Sequence, residues 1–241
     1  MEKRINYTNG VGDALVGIHT RGEADVCVIL SHGFLSDKDE NTLFSSLSEA
    51  LGKNDISSFR FDYTGHGESA SLPLSLERMQ EDFDASSRFI NRLGYEKVYV
   101  VGHSLGAVPV LRSDIDSSHY FLLAPYYKAD HRRVNLILEE FDEGDNEITM
   151  TNRFDKEHTL PRSFLDEMKE VDLLSDLKSK SSKINLYFSN SDKIMPKNYY
   201  KPILSSKNIF NDVILLDTNH FFSKNRKPVF EDIISLIEDC T

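Results

Sequence analysis

The sequence predicts an α/β fold, with helices on both faces of a mostly parallel sheet of about eight strands. Two observations predict this fold. Short apolar runs rich in β-branched residues alternate with amphipathic segments along most of the 241 residues. One such run, residues 97–101, passes through a tight glycine-containing turn into a segment that can form a helix. A chain of this length can bury about 70–75% of its unfolded surface, which is enough for a self-sufficient core.

Six of the predicted strands precede residue 124, and each is a short run of apolar or β-branched residues. The first two form a hairpin, because Asn9-Gly10 between them favours a tight turn. In the longest helix, Phe83, Ile90 and Leu93 recur at helical spacing. The predicted strands are 4–8, 14–19, 26–30, 56–61, 97–101 and 120–123, and the predicted helices are 41–53, 76–93 and 107–111.

Two further strands, 184–189 and 213–216, continue the alternation, with residues 196–204 between them and a last helix at 228–238. The stretch after the sixth strand interrupts the pattern. A connection this long in a compact domain is typical of a lid or a binding insertion. We therefore expect a core formed by residues 1–125 and 181–241, and a lid formed by residues 126–180.

The predicted lid is polar, with an acidic run at residues 139–145 and a segment at 162–177 that looks helical. The acidic side chains are expected on the outer surface. The apolar side chains are too many for a solvated loop, and we expect some of them to face a substrate pocket. They are Leu136, Ile137, Leu138, Phe141, Phe154, Phe164 and Leu165.

The charge of the chain excludes some classes of partner. A net charge of −11 argues against nucleic acid and anionic membranes, both of which select for basic surfaces. No apolar run approaches the length of a membrane span. Cys27 and Cys240 lack metal-ligand spacing, which favours a reducing compartment. The first residues lack the apolar segment of a signal peptide, so we expect a cytoplasmic protein.

Residues 102–106 read G-H-S-L-G and follow the predicted strand 97–101. A strand, a G-x-S-x-G turn and a helix together form the context of a nucleophile elbow. The tight turn holds Ser104 in a strained backbone conformation with its hydroxyl above the sheet edge. A serine hydroxyl is a weak nucleophile at neutral pH, so Ser104 needs a base, and the base needs an orienting acid.

The base and the acid are expected in loops that follow strands later in the chain, in the order Asp or Glu, then His. Asp192 follows the strand 184–189 and His220 follows the strand 213–216. Asp217 precedes His220 too closely to reach its ring, and His103 would point away from Ser104. His220 must be neutral to accept a proton, so activity is expected to rise through about pH 6–7.

Acyl transfer also needs donors for the negative charge that develops on the carbonyl oxygen. One donor is expected to be the backbone N–H of Leu105, directly after the nucleophile. The second is expected from the loop after the third strand, where His32-Gly33 precedes the N–H of Phe34. The sequence implies no metal and no organic cofactor.

These residues resemble those of serine hydrolases of the α/β-hydrolase superfamily. The likeness is greatest to compact bacterial carboxylesterases of the cinnamoyl/feruloyl esterase type and their serine-aminopeptidase-like relatives. In those relatives the D-Y-x-G-H-G-x-S segment is a structural turn, so Asp62 and His66 are given no catalytic role. The matching segments are residues 32–34, 60–69 and 102–106, together with Asp192 and His220.

The resemblance and the residues together predict a carboxylesterase that forms an acyl-enzyme, with a small-molecule ester or acyl substrate. The same three residues would also serve a thioesterase or acyltransferase acting on a carrier-bound or CoA-bound acyl group. An aminopeptidase is a further alternative, in which the acidic lid would bind a substrate ammonium. The last alternative is a non-catalytic binding module with the same fold. The protein is expected to be a monomer or a homodimer.

Overall fold

One sheet dominates the computed structural model, which describes residues 2–152 and 155–240; in that part of the chain the sheet has eight strands, and two more form a separate hairpin. In chain order the strands are β1 (Glu2–Thr8), β2 (Ala14–Thr20), β3 (Val26–Ser31), β4 (Ser57–Asp62), β5 (Lys97–His103), β6 (His119–Leu123), β7 (Glu147–Thr151), β8 (Glu157–Pro161), β9 (Ile184–Ser189) and β10 (Asp212–Leu216).

The strand order in the large sheet is β1-β2-β4-β3-β5-β6-β9-β10, and β7 pairs with β8. The hairpin partners β1 and β2 are antiparallel, and so are β2 and β4. The remaining neighbours are parallel. The predicted α/β fold with a mostly parallel sheet of about eight strands is confirmed.

Two groups of helices pack on this sheet: the first helix contacts the last, and the second contacts the third. The second helix buries Met79, Phe83 and Ile90 along one face, as its helical spacing predicts. The helices are α1 (Leu43–Lys53), α2 (Leu76–Arg92), α3 (Ala107–Arg112), α4 (His131–Leu138), α5 (Arg162–Lys169), α6 (Leu174–Ser179), α7 (Lys197–Leu204) and α8 (Lys227–Asp239). Within the described ranges, every helix is too short or too polar to span a membrane.

The parallel strands end together at one edge of the sheet. Ser31 at the end of β3 pairs with Gly102, and Leu216 at the end of β10 pairs with Ser189 of β9. The central strands β3 and β9 are buried along their whole length, whereas β10 lies at the edge of the sheet and is partly exposed. Loops that leave this edge meet above it, which is where open α/β sheets place their functional sites.

The segment between β6 and β9 differs in detail from the sequence prediction. The predicted helix at 162–177 is two helices, α5 and α6, because the residues between them pair with the chain after β6. Lys128 forms a β-bridge with Asp172, and the N–H of Leu173 donates to the carbonyl of Tyr127. The hairpin of β7 and β8 was not predicted.

This segment packs onto the rest of the protein. The side chain of Asn152 donates to the carbonyl of Leu35, and the carboxylate of Glu167 accepts from the N–H of Leu76. Phe164 and Leu165 are completely buried, whereas Leu136 is exposed. The described carboxylates of the run 139–145 are exposed, as predicted. Phe154, one of the apolar residues singled out above, lies outside the described residues.

The segment 62–69 forms a turn around a completely buried carboxylate. Asp62 accepts hydrogen bonds from the backbone N–H of Lys38 at 2.7 Å and of Glu68 at 2.9 Å. It also pairs with the ammonium group of Lys38 at 2.8 Å. Gly67 has a φ of +51°, and a Cβ atom there would lie 2.1 Å from the Asp62 carboxylate carbon. This turn therefore requires glycine.

We predict that Gly67→Ala lowers the free energy of unfolding by about 3–5 kcal/mol, since it adds left-handed strain and displaces the buried carboxylate from its donors. Urea unfolding measures the loss. Gly144→Ala is the matched control, because Gly144 also has a positive φ but nothing lies within 4 Å of the added Cβ. The control should lose only about 1–2 kcal/mol. Equal losses in the two variants would contradict the role given to the Asp62 contact.

Candidate active site

The turn after β5 holds Ser104 in a conformation that side chains rarely adopt. Ser104 has a φ of +51° and begins a short 3₁₀ helix that continues into α3. The turn packs against the end of β3, where a Cβ atom on Gly106 would lie 2.3 Å from the carbonyl oxygen of Ser31. The Ser31 hydroxyl in turn donates to the carbonyl of Gly106 at 2.7 Å. This close approach fixes the strained turn predicted from the sequence.

The structure brings Ser104, His220 and Asp192 together. The Oγ of Ser104 lies 3.0 Å from Nε2 of His220, and Nδ1 of His220 lies 2.8 Å from Oδ2 of Asp192. All three residues are buried. Asp217, the carboxylate excluded by its sequence position, is exposed to solvent. The three side chains come from the loops after β5, β10 and β9.

Backbone donors hold the carboxylate of Asp192 in place. Its Oδ1 accepts hydrogen bonds from the N–H groups of Ile194 at 2.8 Å and Met195 at 2.7 Å. The other oxygen, Oδ2, is left to face the ring of His220. A carboxylate that accepts from Nδ1 fixes the ring in the tautomer whose Nε2 can accept a proton.

The surroundings keep His220 neutral. Burial lowers the pKa of the His220 imidazole, and the Asp192 hydrogen bond raises it, but the net shift is downward. The neighbouring His103 also lowers the pKa of His220, since the two ring centroids are 4.9 Å apart. A neutral imidazole is the form that can take a proton from a serine hydroxyl.

A second buried acid–histidine pair lies beside these residues. Nδ1 of His103 is 3.3 Å from Oε1 of Glu40, and both side chains are almost completely buried. The Nε2–H of His103 donates to the backbone carbonyl of His220 at 2.9 Å. Glu40 also accepts from the N–H of Gly33. The pair thus connects the loop after β3 with the loop that carries His220.

Glu40 and His103 each favour the charged form of the other. Burial would raise the pKa of Glu40, but His103 outweighs it and lowers this pKa to about 2. Burial would likewise lower the pKa of His103, but Glu40 outweighs it and raises that pKa. The two ring nitrogens of His103 contact Glu40 and the carbonyl of His220. Glu40 was missed by the sequence analysis because it ends a charged run, residues 37–40, that looks like an exposed loop.

A small cavity opens beside Ser104. Phe34 and Leu105, whose N–H groups were predicted to bind an oxyanion, both line it. The Phe34 ring stacks on Phe164, with ring centroids 5.8 Å apart. The full lining is Gly33, Phe34, Glu40, His103, Ser104, Leu105, Tyr126, Arg133, Met168, Ile194, Met195, His220 and Phe221.

The contribution of the segment 126–180 to this cavity differs from the sequence prediction. The segment supplies Tyr126, Arg133 and Met168. None of the described apolar residues that were expected to face the pocket lines it: Leu136 is exposed, and the others, among them Phe164 and Leu165, pack in or against the core. Across the part of the chain that the structure describes, no His, Cys, Asp or Glu side chains are grouped as metal ligands would be.

Solved structures share this architecture over nearly the whole chain. An esterase from Pyrococcus furiosus is 18% identical, with a TM-score of 0.72, and the match covers 99% of this chain and 89% of that one. Est1E from Butyrivibrio proteoclasticus, solved with ferulic acid bound, is 16% identical with a TM-score of 0.72, covering 98% of each chain. The esterase domain of a Rhodothermus marinus protein is 18% identical with a TM-score of 0.71, covering 98% of this chain and 97% of that one. At these identities the likeness shows the fold.

The sequence itself identifies the family. None of the curated proteins matches the chain. The model of the alpha/beta hydrolase family matches residues 28–189, which is more than half of the chain and includes the strands β3 to β9 and the turn at Ser104. The resemblance drawn from the motifs is therefore confirmed, and the chain belongs to the alpha/beta hydrolase family.

Proposed function

We propose that this protein is a serine hydrolase that cleaves a carboxylic ester through an acyl-enzyme. The observation that carries the proposal is the continuous contact from Ser104 Oγ to His220 Nε2 and from His220 Nδ1 to Asp192. A nucleophile, a base and an orienting acid in this arrangement are what serine acyl transfer requires. The esterases named among the similar structures support an ester as the substrate.

In the first half of the reaction, His220 Nε2 takes the proton of the Ser104 hydroxyl while Oγ attacks the ester carbonyl carbon. The N–H groups of Phe34 and Leu105 stabilise the oxyanion that forms, in the same cavity as Ser104. The tetrahedral intermediate collapses, the bond to the alcohol oxygen breaks, and His220 gives its proton to the leaving alcohol. The acyl group then remains on Ser104.

In the second half, His220 takes a proton from water, and the resulting hydroxide attacks the acyl carbon. Collapse breaks the bond to Ser104 Oγ, which recovers its proton from His220, and the carboxylic acid leaves. Asp192 stabilises the imidazolium in both halves, because its Oδ2 faces Nδ1 of His220 throughout. The backbone donors on its other oxygen keep it from turning away.

The residues that line the cavity help to distinguish an esterase from the alternative enzyme functions. An aminopeptidase would need a carboxylate free to bind a substrate ammonium, whereas the acidic run 139–145 is exposed and a guanidinium, that of Arg133, lines the cavity. A thioesterase or acyltransferase would use the same three residues, and rates on matched oxygen esters and thioesters separate the two. We also propose residues 126–180 as a lid, since Tyr126, Arg133 and Met168 contribute to the cavity wall.

Replacing the nucleophile should abolish turnover and leave the fold intact. We predict that Ser104→Ala lowers kcat by roughly 10⁴-fold or more, because the acyl-enzyme cannot form. A fluorophosphonate probe should label the wild type and leave this variant unlabelled. Ser191→Ala, an exposed serine in the loop after β9, is the control and should retain full labelling. Retention of more than a tenth of the wild-type turnover would remove Ser104 from the mechanism.

The dependence of kcat/KM on pH should report the protonation of His220. Because burial lowers its pKa, we predict that kcat/KM rises with pH along a limb centred below the ordinary imidazole value of about 6.5, and is level above it. Initial rates measured from about pH 4.5 to about pH 8.5 define this limb, because that range brackets the titration of an imidazole. Buffer stability is checked at both ends of the range. A limb centred above pH ~7 would contradict the assigned base.

The Glu40–His103 pair should tune this limb. Glu40→Gln removes the negative charge that keeps His103 protonated. His103 lowers the pKa of His220 more than Glu40 raises it, so the pKa of His220 should rise in this variant. We predict that the acidic limb of kcat/KM shifts to higher pH in this variant. Asp39→Asn is the control, because Asp39 is half-exposed and pairs with Arg60. A limb that does not move in Glu40→Gln would leave the pair with a structural role alone.

A further inference from the structure

The cavity beside Ser104 is lined in part by an arginine side chain with an unusual environment. Arg133, on the helix α4 that follows β6, lines this cavity together with Ser104 and His220. Its neighbour Arg132 is exposed and pairs with Asp130. Two adjacent arginines on one short helix therefore have different surroundings, and Arg133 is the one that shares a cavity with the nucleophile.

No carboxylate neutralises Arg133. Its Nη1 donates to the backbone carbonyl of Ile194 at 3.3 Å, and among residues 2–152 and 155–240 it forms no salt bridge. The two carboxylates that act on it from a distance, Asp130 and Asp192, are held by Arg132 and His220. A guanidinium carries five N–H donors, so most of its hydrogen-bonding capacity stays available to a ligand.

Arg133 is also partly desolvated. Burial lowers the pKa of its guanidinium, although the group stays charged. Removing hydrating water from a cation without supplying a carboxylate partner costs free energy, and a ligand of opposite charge would offset that cost.

We propose that Arg133 is the anion-binding residue of the substrate pocket, and that the substrate is an ester that carries a carboxylate. This inference rests on the proposed function and names its substrate class. The planar guanidinium matches a carboxylate in a bidentate geometry, which fixes orientation as well as charge. The carboxylate can belong to the acyl part or to the alcohol part of the ester, and the two are tested separately.

Matched esters that differ in one charge test the proposal. On the acyl side, mono-4-nitrophenyl glutarate is compared with 4-nitrophenyl pentanoate, which has the same chain length and no charge. On the alcohol side, the butyrate ester of glycolic acid is compared with propyl butyrate. We expect the wild type to prefer the charged member of at least one pair in kcat/KM, and the pair that shows the preference identifies the charged part.

In Arg133→Gln, we expect the ratio of kcat/KM for the charged ester over the neutral one to fall by about 10- to 100-fold, as for the loss of one charged hydrogen-bonding partner. Arg133→Lys keeps the charge without the planar fork and should give an intermediate ratio. If Arg133→Gln does not fold, Arg133→Lys is the variant that tests the proposal. Arg92→Gln is the matched control and should keep the wild-type ratio, because Arg92 is exposed at the end of α2 and outside the cavity lining.

A ratio near one in the wild type for both pairs would overturn the proposal. So would a ratio that Arg133→Gln leaves unchanged, since Arg133 would then hold the Ile194 loop and take no part in recognition.

A binding measurement keeps this result apart from the fate of the proposed function. Calorimetry on Ser104→Ala should show that at least one of two carboxylates, monomethyl glutarate on the acyl side or the butyrate ester of glycolic acid on the alcohol side, binds more tightly than its own neutral methyl ester. The further change Arg133→Gln should remove the difference. If no ester is hydrolysed by the wild type but this difference is present, the esterase proposal fails and the anion site stands. If the wild type hydrolyses neutral esters but no such difference in binding is found, the esterase proposal stands and the anion site fails.

Discussion

The contact between the turn after β5 and the end of β3 is the constraint on which the site depends. Gly106 lies so close to the Ser31 carbonyl that no side chain fits between them. This approach forces the positive φ of Ser104 and brings Leu105 to the same cavity as Phe34. The strain at Ser104 persists because the turn follows directly on the buried strand β5 and packs on the end of the buried strand β3, which is hydrogen-bonded to β5. A nucleophile on a mobile loop would lack this fixed position relative to its oxyanion donors.

Buried carboxylates hold the loops around that contact, and each of the three accepts at least one hydrogen bond from a backbone N–H. Asp62 accepts from the N–H groups of Lys38 and Glu68, Asp192 from those of Ile194 and Met195, and Glu40 from that of Gly33. A buried carboxylate without such donors would be strongly destabilising. In each of these three cases the charge fixes a loop at the carboxyl edge of the sheet.

The regular part of the fold could be predicted because apolar runs and helical spacing directly reflect burial. The strands β3, β5 and β9 are continuous apolar runs, and their loops carry Ser104 and Asp192 in the expected order. The hairpin β7–β8 was missed because its alternation of polar and apolar residues is short and half-exposed. Glu40 and Arg133 were missed for another reason: a charged residue in a polar stretch gives no sign that the fold turns it inward.

The position of β10 has a consequence for how the protein loses its function on heating. β10 is an edge strand with one neighbour, β9, in the described sheet, and Leu215 on it is largely exposed. Edge elements with few buried contacts open locally at a lower free energy than the core. Since the loop after β10 carries His220, fraying of this one strand separates the base from Ser104 while β3 to β6 stay paired. We therefore expect inactivation to precede global unfolding on heating, and hydrogen exchange along β10 is the observable that would link inactivation to this strand.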